Sequence, residues 1–268
     1  MCNKKLYDAL VEGNILQDIL ISQLFAVLVL FARLGSAMML FPIFGEAFVN
    51  SRSRLLLALS ISVMLAPLLE RYLPTIPTNT GALAVLLIGE VTIGVFIGLV
   101  ARFLLNALHV AGMVFSFQSG LSLATQFDAT QASQGSILGN FLTLSGMMLI
   151  FSMDLHHIML RGVVDSYSLL PSNEFPPIEQ MSEYLATLVS YIFRVGVQIA
   201  APSIVVGLLL YLAAGLLARL MPNMQVFFVI TPLQLFISLF LLMATFNSMM
   251  MEFVYFFSST FADFLDGF

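Results

Sequence analysis

Long apolar runs, separated by short polar segments, follow one another along the chain. About 20 apolar residues in a helix cross the hydrocarbon core of a bilayer, so each run predicts a helix that can span or enter a membrane. The six predicted segments lie at approximately residues 15–41, 55–69, 82–108, 136–158, 186–219 and 225–262. The residues before 15 form a short amphipathic lead-in that we expect to remain in the mature chain, because acidic residues interrupt any signal-peptide core.

The last two runs are too long for simple membrane crossings. As a hairpin turning at Met221–Met224, they would extend roughly 50 Å and roughly 55 Å, against a hydrocarbon core of about 30 Å. Pro202 and Pro232 predict kinks in them. The sequence therefore predicts an all-α protein of membrane-associated helical hairpins with long kinked helices, whose apolar faces are partly buried against other subunits. A polar connection at 165–183 divides it into residues 1–184 and 185–268.

One stretch, Ala111 to Gly135, is polar without being charged. Between residues 103 and 153 the only formally charged side chain is Asp128, yet serine, threonine and glutamine crowd the middle of this region. Unpaired hydroxyl and amide groups are costly in hydrocarbon, so the stretch must face water, a cavity or other protein. We interpret it as a pore-lining or gating loop. For Asp128 the alternative is an ordinary carboxylate in an interfacial loop.

Composition excludes several other classes of function. The chain is 60% hydrophobic and 9% charged, which is typical of an integral membrane protein. Its net charge of −5 and lack of a basic patch argue against nucleic-acid binding. No catalytic or cofactor motif is present. Asp154, His156 and His157 lack the spacing of known zinc helices, so we interpret them as polar residues at a helix end and predict no metal site.

Four ionisable residues lie within or at the ends of apolar runs and are candidate buried charges: Arg33, Glu90, Arg102 and Arg194. Glu90 and Arg102 are about 18 Å apart along one helix and cannot pair with each other. Glu90 could instead pair with Arg33 or with Arg194. The alternatives for its role are a structural pair or snorkelling to an interface, or a proton-relay or gating function.

Small residues at helical spacing predict close packing between helices. Gly94 and Gly98 form one GxxxG pair, and Gly135 and Gly139 form another. The spacing does not distinguish packing within this chain from contacts with other subunits.

Motifs in a fixed order run nearly from end to end of the chain. They are Phe31, Arg33 and Gly35 with Phe41-Pro42; Glu90, Gly94 and Gly98; Ala111-Gly112; Gln118-x-Gly120-Leu121-Ser122; Asp128; His156, Ser166 and Pro171; Arg219-x-x-Pro222 with Phe227; and Pro232-Leu233. With these residues the chain resembles the FliR family, the membrane proteins of the flagellar type III export gate, and their injectisome counterparts. It departs from that pattern at Ala129, where many relatives have proline, and at Ile230, where they often have glycine.

The resemblance implies a fusion of a FliP-like part, residues 1–184, and a FliQ-like long hairpin, residues 185–268. It implies an inner-membrane subunit of the flagellar basal body that assembles with FliP, FliQ and FlhB and passes unfolded exported proteins. The loop at about 112–128 would plug the channel. The plug or pore-lining residues are Phe117, Gln118, Ser119, Gly120, Leu121, Ser122, Leu123, Ala124, Thr125, Gln126, Phe127 and Asp128. The alternative function is secondary transport of an ion or small solute.

Overall fold

The computed structural model describes residues 2–77, 79–122, 136–221 and 226–266. These residues form helices joined by loops, without strands, which confirms the all-α prediction. The helices are α1 (Cys2–Leu40), α2 (Ser51–Leu69), a 3-10 turn (Glu70–Tyr72), α3 (Thr80–Gln118), α4 (Ile137–Ser152), α5 (Leu155–Leu169), α6 (Ile178–Leu220) and α7 (Val226–Asp266).

The chain divides into two compact units that alternate along the sequence. The first unit contains residues 2–77, 79–101 and 159–182, and the second contains the described residues of 102–158 and 183–266. Helix α3 therefore contributes its first part to the first unit and its last part to the second.

In the first unit, α1 packs against α2 and α3. Asn50 caps α2 by accepting a hydrogen bond from the Arg52 backbone N–H at 3.0 Å, which satisfies a donor that the first helical turn leaves unpaired. Leu30 of α1, Leu69 of α2 and Tyr167 of α5 belong to one buried apolar cluster. This cluster brings residues distant in sequence to the same side of α1.

In the second unit, α6 and α7 form an antiparallel hairpin. Tyr184 near the start of α6 contacts Phe264 near the end of α7, with ring centroids 5.5 Å apart. Tyr191 contacts Phe256 at 5.4 Å, two turns further along both helices. The buried positions on α6 recur at helical spacing: Leu188, Ile192, Val195 and Ile199. Helix α6 ends at Leu220 and α7 begins at Val226, on either side of the predicted turn at Met221–Met224, of which residues 222–224 lie outside the described residues.

Several predicted boundaries were wrong. Helix α1 begins at Cys2 rather than near residue 15, and α3 continues to Gln118 rather than ending near 108. The predicted span at 136–158 is two helices, α4 and α5, broken at Met153 and Asp154, where Asp154 has φ 59°. The predicted connection at 165–183 is correspondingly shorter, because α5 ends at Leu169 and α6 begins at Ile178.

Among the described residues, five helices are long and apolar enough to cross a membrane, or six segments if the bent pair α4–α5 counts as one span. Helices α6 and α7 contain 43 and 41 residues, or about 65 Å and about 62 Å at 1.5 Å per residue. Both exceed the lengths expected from hydropathy. Pro202 and Pro232 lie inside these helices rather than at their ends.

Candidate functional site

The polar stretch begins inside α3. Residues 112–118, which we predicted to belong to a loop, are the last two turns of this helix. The loop interpretation was wrong for them because Gly112 serves helix packing rather than a turn. The helix ends where the Gly120 N–H donates to the Phe117 carbonyl at 3.2 Å and Gly120 takes φ 77°, a conformation that glycine adopts without a steric cost.

Six predicted plug residues and one predicted packing glycine lie outside the described residues. They are Leu123, Ala124, Thr125, Gln126, Phe127, Asp128 and Gly135. The described plug residues differ in exposure. Phe117 is exposed, Ser119 is buried, and Gln118, Gly120, Leu121 and Ser122 are intermediate.

Two serines join the ends of the polar stretch. Ser116 Oγ on α3 lies 2.6 Å from Ser136 Oγ, which precedes α4. Ser136 Oγ also lies 3.2 Å from the Gly112 carbonyl, to which it donates, and accepts from the Gly139 N–H at 2.9 Å as the N-cap of α4. We call these four residues the serine clasp. The chain between Ser116 and Ser136 thus leaves and returns at one point.

The serine clasp depends on a close approach of α3 and α4. A Cβ atom added at Gly112 would lie 2.5 Å from the Gly139 backbone nitrogen, a distance that side chains do not tolerate. Gly139 therefore packs within this chain, against the glycine of the neighbouring helix. The two glycines let the Ser136 hydroxyl reach both the Gly112 carbonyl and the Ser116 hydroxyl on α3.

The end of α3 is also held by the α6–α7 hairpin. Gln234 on α7 donates from Nε2 to the Gln118 backbone carbonyl, and the same nitrogen lies 3.2 Å from the Tyr211 hydroxyl on α6. The Gln118 side chain lies over Gly207, where an added Cβ would overlap its amide. We call Gly207, Tyr211 and Gln234 the amide cleft. Gln118 Oε1 is buried in it and accepts no hydrogen bond from the described residues.

Sequence reasoning missed the amide cleft. A signal was present, because Gln234 is an amide inside an apolar run, and a buried amide requires a polar partner. Nothing in the sequence indicated that this partner is a main-chain carbonyl more than 100 positions away.

In the first unit, two of the candidate charges form a buried pair. Arg33 donates to Glu90 through Nε (2.7 Å to Oε2) and Nη2 (3.1 Å to Oε1). It also donates to Ser166 Oγ and to the Leu170 carbonyl, both at 3.0 Å. The Tyr167 ring lies 3.8 Å from Arg33 Cζ, and its hydroxyl donates to Glu90 at 3.4 Å. The arginine is 0% exposed and the carboxylate 1%.

This geometry identifies Arg33 as the partner of Glu90. The sequence had left two candidate partners for this carboxylate, Arg33 and Arg194. The carboxylate is engaged by a two-point guanidinium contact and a hydroxyl, which is the arrangement that stabilises a buried ion pair. It favours a structural pair over a proton relay.

The other two candidate charges are not buried in this way. Arg102 is half-buried, and Arg194 is exposed, so the prediction of burial is wrong for Arg194 in the chain alone. The reason is its position on α6, off the stripe formed by Ile192, Val195 and Ile199, which faces the interior.

The first GxxxG pair brings α1 and α3 together beside this ion pair. A Cβ at Gly94 would overlap Ser36 Oγ and the Arg33 carbonyl, and one at Gly98 would lie 2.7 Å from Leu40 Cβ. Both glycines thus serve packing within the chain. Their lack of side chains lets the α1 and α3 backbones approach closely enough for Arg33 to reach Glu90.

Asp154, His156 and His157 cluster at the break between α4 and α5. Their ligand atoms lie within 4.8 Å of one another, so three donors for a metal ion are available there. His157 Nδ1 lies 3.7 Å from Asp154 Oδ1, and the His156 ring stacks on Phe151 at 4.6 Å. These contacts fit the interpretation of polar residues at a helix end.

Comparison with known proteins gives one consistent result. Residues 24–260 match the family model described as bacterial export proteins, family 1. The chain is 36% identical over 220 residues to the flagellar biosynthetic protein FliR of Caulobacter vibrioides, covering 82% of this chain and 88% of that protein. It is 32% identical to FliR of Pectobacterium carotovorum (76% and 78% covered) and 26% identical to FliR of Bacillus subtilis (81% and 84% covered).

Proposed function

Because the chain belongs to the bacterial export proteins, family 1, we propose that it is a membrane subunit of the flagellar type III export gate. It acts in the inner membrane, consistent with its five or six membrane-capable segments. The predicted FliR family and the predicted flagellar export function are supported by relatives that align with most of the chain.

The gate is a hetero-oligomer in this proposal. FliP and FliQ subunits assemble with the chain, FlhB associates with the assembly, and unfolded flagellar proteins pass through it. Residues 1–184 take the FliP-like role and residues 185–268 the FliQ-like role. The α6–α7 hairpin supports this assignment, because its length is about twice the hydrocarbon thickness and other subunits must cover part of its apolar surface.

Within the gate, the polar loop that follows α3 plugs the channel at rest. The observation that carries this assignment is the serine clasp: both ends of an almost uncharged polar segment are fixed at Ser116 and Ser136. A loop anchored in this way can obstruct a channel without being lost when substrate enters. Its uncharged polar side chains can be wetted without binding any one substrate charge strongly.

The role that we propose for this chain is structural, and we propose no reaction that it catalyses. Secondary transport, the alternative from sequence, is not favoured by the family assignment. Such a transporter needs an ion-coupling group near the bilayer midplane. Glu90, the buried carboxylate of the described residues, is already engaged by Arg33 and Tyr167.

Deleting residues 123–130 tests the plug assignment, because the deletion retains both serines of the clasp and enough chain to join them. The purified gate complex should then conduct ions at rest more than the wild-type complex in planar bilayers. Size-exclusion chromatography of the same preparation controls for assembly. Unchanged conductance in a correctly assembled complex would refute the plug.

A further inference from the structure

Two histidines and an aspartate lie together where α4 ends and α5 begins. Asp154, His156 and His157 each offer one ligand atom, and these atoms lie within 4.8 Å of one another. Their spacing in the sequence argued against a zinc site, because metal-binding histidines on one continuous helix recur four residues apart. The structure removes that objection, since Asp154 lies in the break between two helices and the histidines lie in the first turn of the next.

The backbone of Asp154 places its carboxylate beside a histidine. Asp154 has φ 59°, in the left-handed region, and its carbonyl accepts a hydrogen bond from the His157 N–H at 3.0 Å. Its Oδ1 lies 3.7 Å from His157 Nδ1, which is too long for a direct hydrogen bond. An ionised carboxylate has about four lone-pair sites, so this contact leaves oxygen atoms that can bind a cation.

His156 provides a second, independent observation. Its Nδ1 is buried and has no hydrogen-bond partner among the described residues. A buried polar atom of this kind is normally paired, and a bound water or ion is a common partner where the protein supplies none. The ring stacks on Phe151 at 4.6 Å and lies 4.1 Å from the His157 ring, which holds this nitrogen next to the other two ligand groups.

The three ligand groups suit a divalent transition metal. Imidazole nitrogen and carboxylate oxygen are ligands of Zn²⁺, which holds them at about 2.0–2.2 Å and therefore about 3.3 Å from one another in a tetrahedral site. The Asp154 and His157 side chains are 77% and 70% exposed, so both can rotate to close the remaining distance, and an ion can reach them from water. Three protein ligands leave the fourth position to a water molecule.

We propose that Asp154, His156 and His157 form a Zn²⁺ site that joins the break after α4 to the first turn of α5. The bound ion pairs with the buried His156 nitrogen and fixes Asp154 in its left-handed conformation. This inference does not depend on the plug, because all three ligands are described residues outside the polar loop.

The test uses the complete chain, purified in detergent through a tag without histidine and stripped with a chelator. Calorimetric titration with Zn²⁺ should saturate at one ion per chain, and the thermal unfolding midpoint should rise with added Zn²⁺. Asp154→Asn and His157→Gln should lower the affinity at least about 100-fold, because loss even of a group that only supports a ligand costs about 10–100-fold. Asparagine tolerates the left-handed conformation, so Asp154→Asn should keep its fold.

His109→Gln is the matched control, because it removes the remaining histidine of the chain and leaves the cluster intact. It should bind Zn²⁺ as the wild type does. X-ray absorption at the zinc edge should show two imidazole ligands in the wild type and one in His157→Gln. Circular dichroism confirms that each variant is folded. Equal affinity in folded Asp154→Asn and wild-type chains, or a midpoint that Zn²⁺ does not raise, would overturn the proposal.

Discussion

Arg33 and Glu90 are 57 positions apart in the sequence, and yet Arg33 Nε lies 2.7 Å from Glu90 Oε2 in the interior of the first unit. This pair joins α1 to α3, and the further contacts with Ser166 and Leu170 extend it to the end of α5. The buried Arg33 side chain therefore joins three segments that are distant in the chain.

Glu90→Gln should strongly destabilise the protein, because it leaves the Arg33 guanidinium buried without a compensating charge. Breaking a buried ion pair on one side costs about 3–5 kcal/mol. Thermal unfolding in detergent, followed by circular dichroism, should show a clear fall in midpoint. Arg161→Gln is the control, because the Arg161–Asp165 pair on α5 is largely exposed and should leave the midpoint unchanged. Equal effects of the two variants would contradict a special role for the buried pair.

Gly94→Ala should separate α1 from α3, because the added methyl overlaps Ser36 Oγ and the Arg33 backbone. Such overpacking costs about 1–3 kcal/mol, and it should lower the unfolding midpoint. Gly81→Ala on the same helix meets only Asn79 at an ordinary 3.6 Å and should cause no loss. A neutral Gly94→Ala would mean that the two helices do not require this close approach.

Ser136→Ala should weaken the base of the loop. It removes the N-cap of α4 and the partner of Ser116, and loss of a serine cap costs about 1 kcal/mol. Hydrogen exchange should show faster opening of the first turn of α4. Ser145→Ala, which removes a partly exposed hydroxyl that donates to the Phe141 carbonyl in the middle of the same helix, should not have this effect. Unchanged protection at Gly139 in the Ser136 variant would argue against the clasp.

Asp154→Gly should be neutral or stabilising, whereas Asp154→Val should destabilise. Asp154 has φ 59°, which costs an ordinary L-residue about 1–2 kcal/mol, glycine little and a β-branched residue more. Unfolding midpoints of the two variants should therefore move apart. A continuous helix through residues 153 and 154 would predict the opposite order, because glycine weakens a helix interior.

The sequence predicted the helical class, the final hairpin and the Arg33 alternative for Glu90, because each depends on hydrophobicity or on the cost of burying a charge. The sequence did not predict the features of the local structure that are determined by tertiary contacts. Gly112 and the polar residues up to Gln118 look like a loop, but the packing of Gly112 on Gly139 keeps them helical. The break at Asp154 carries no glycine or proline that would mark it.

The sequence predicted only part of the candidate site, again because tertiary contacts determine the rest. A run of uncharged polar residues indicates that a segment avoids lipid, and the described ends of this run lie at the end of α3 and just before α4. The groups that hold the segment could not be found in this way. Gln234 contacts a main-chain atom, and the pattern of side chains along a sequence does not indicate which main-chain atoms form such contacts.

The use of a backbone carbonyl as the partner of Gln234 affects how the sequence after α3 can vary in evolution. Every amino acid supplies a backbone carbonyl, so the contact made by Gln234 does not depend on which residue occupies position 118, provided its side chain fits over Gly207. Substitutions further along the loop leave the contact untouched. The residues that follow position 120 are therefore free to diverge in sequence, while the contact between Gln234 and the end of α3 stays the same.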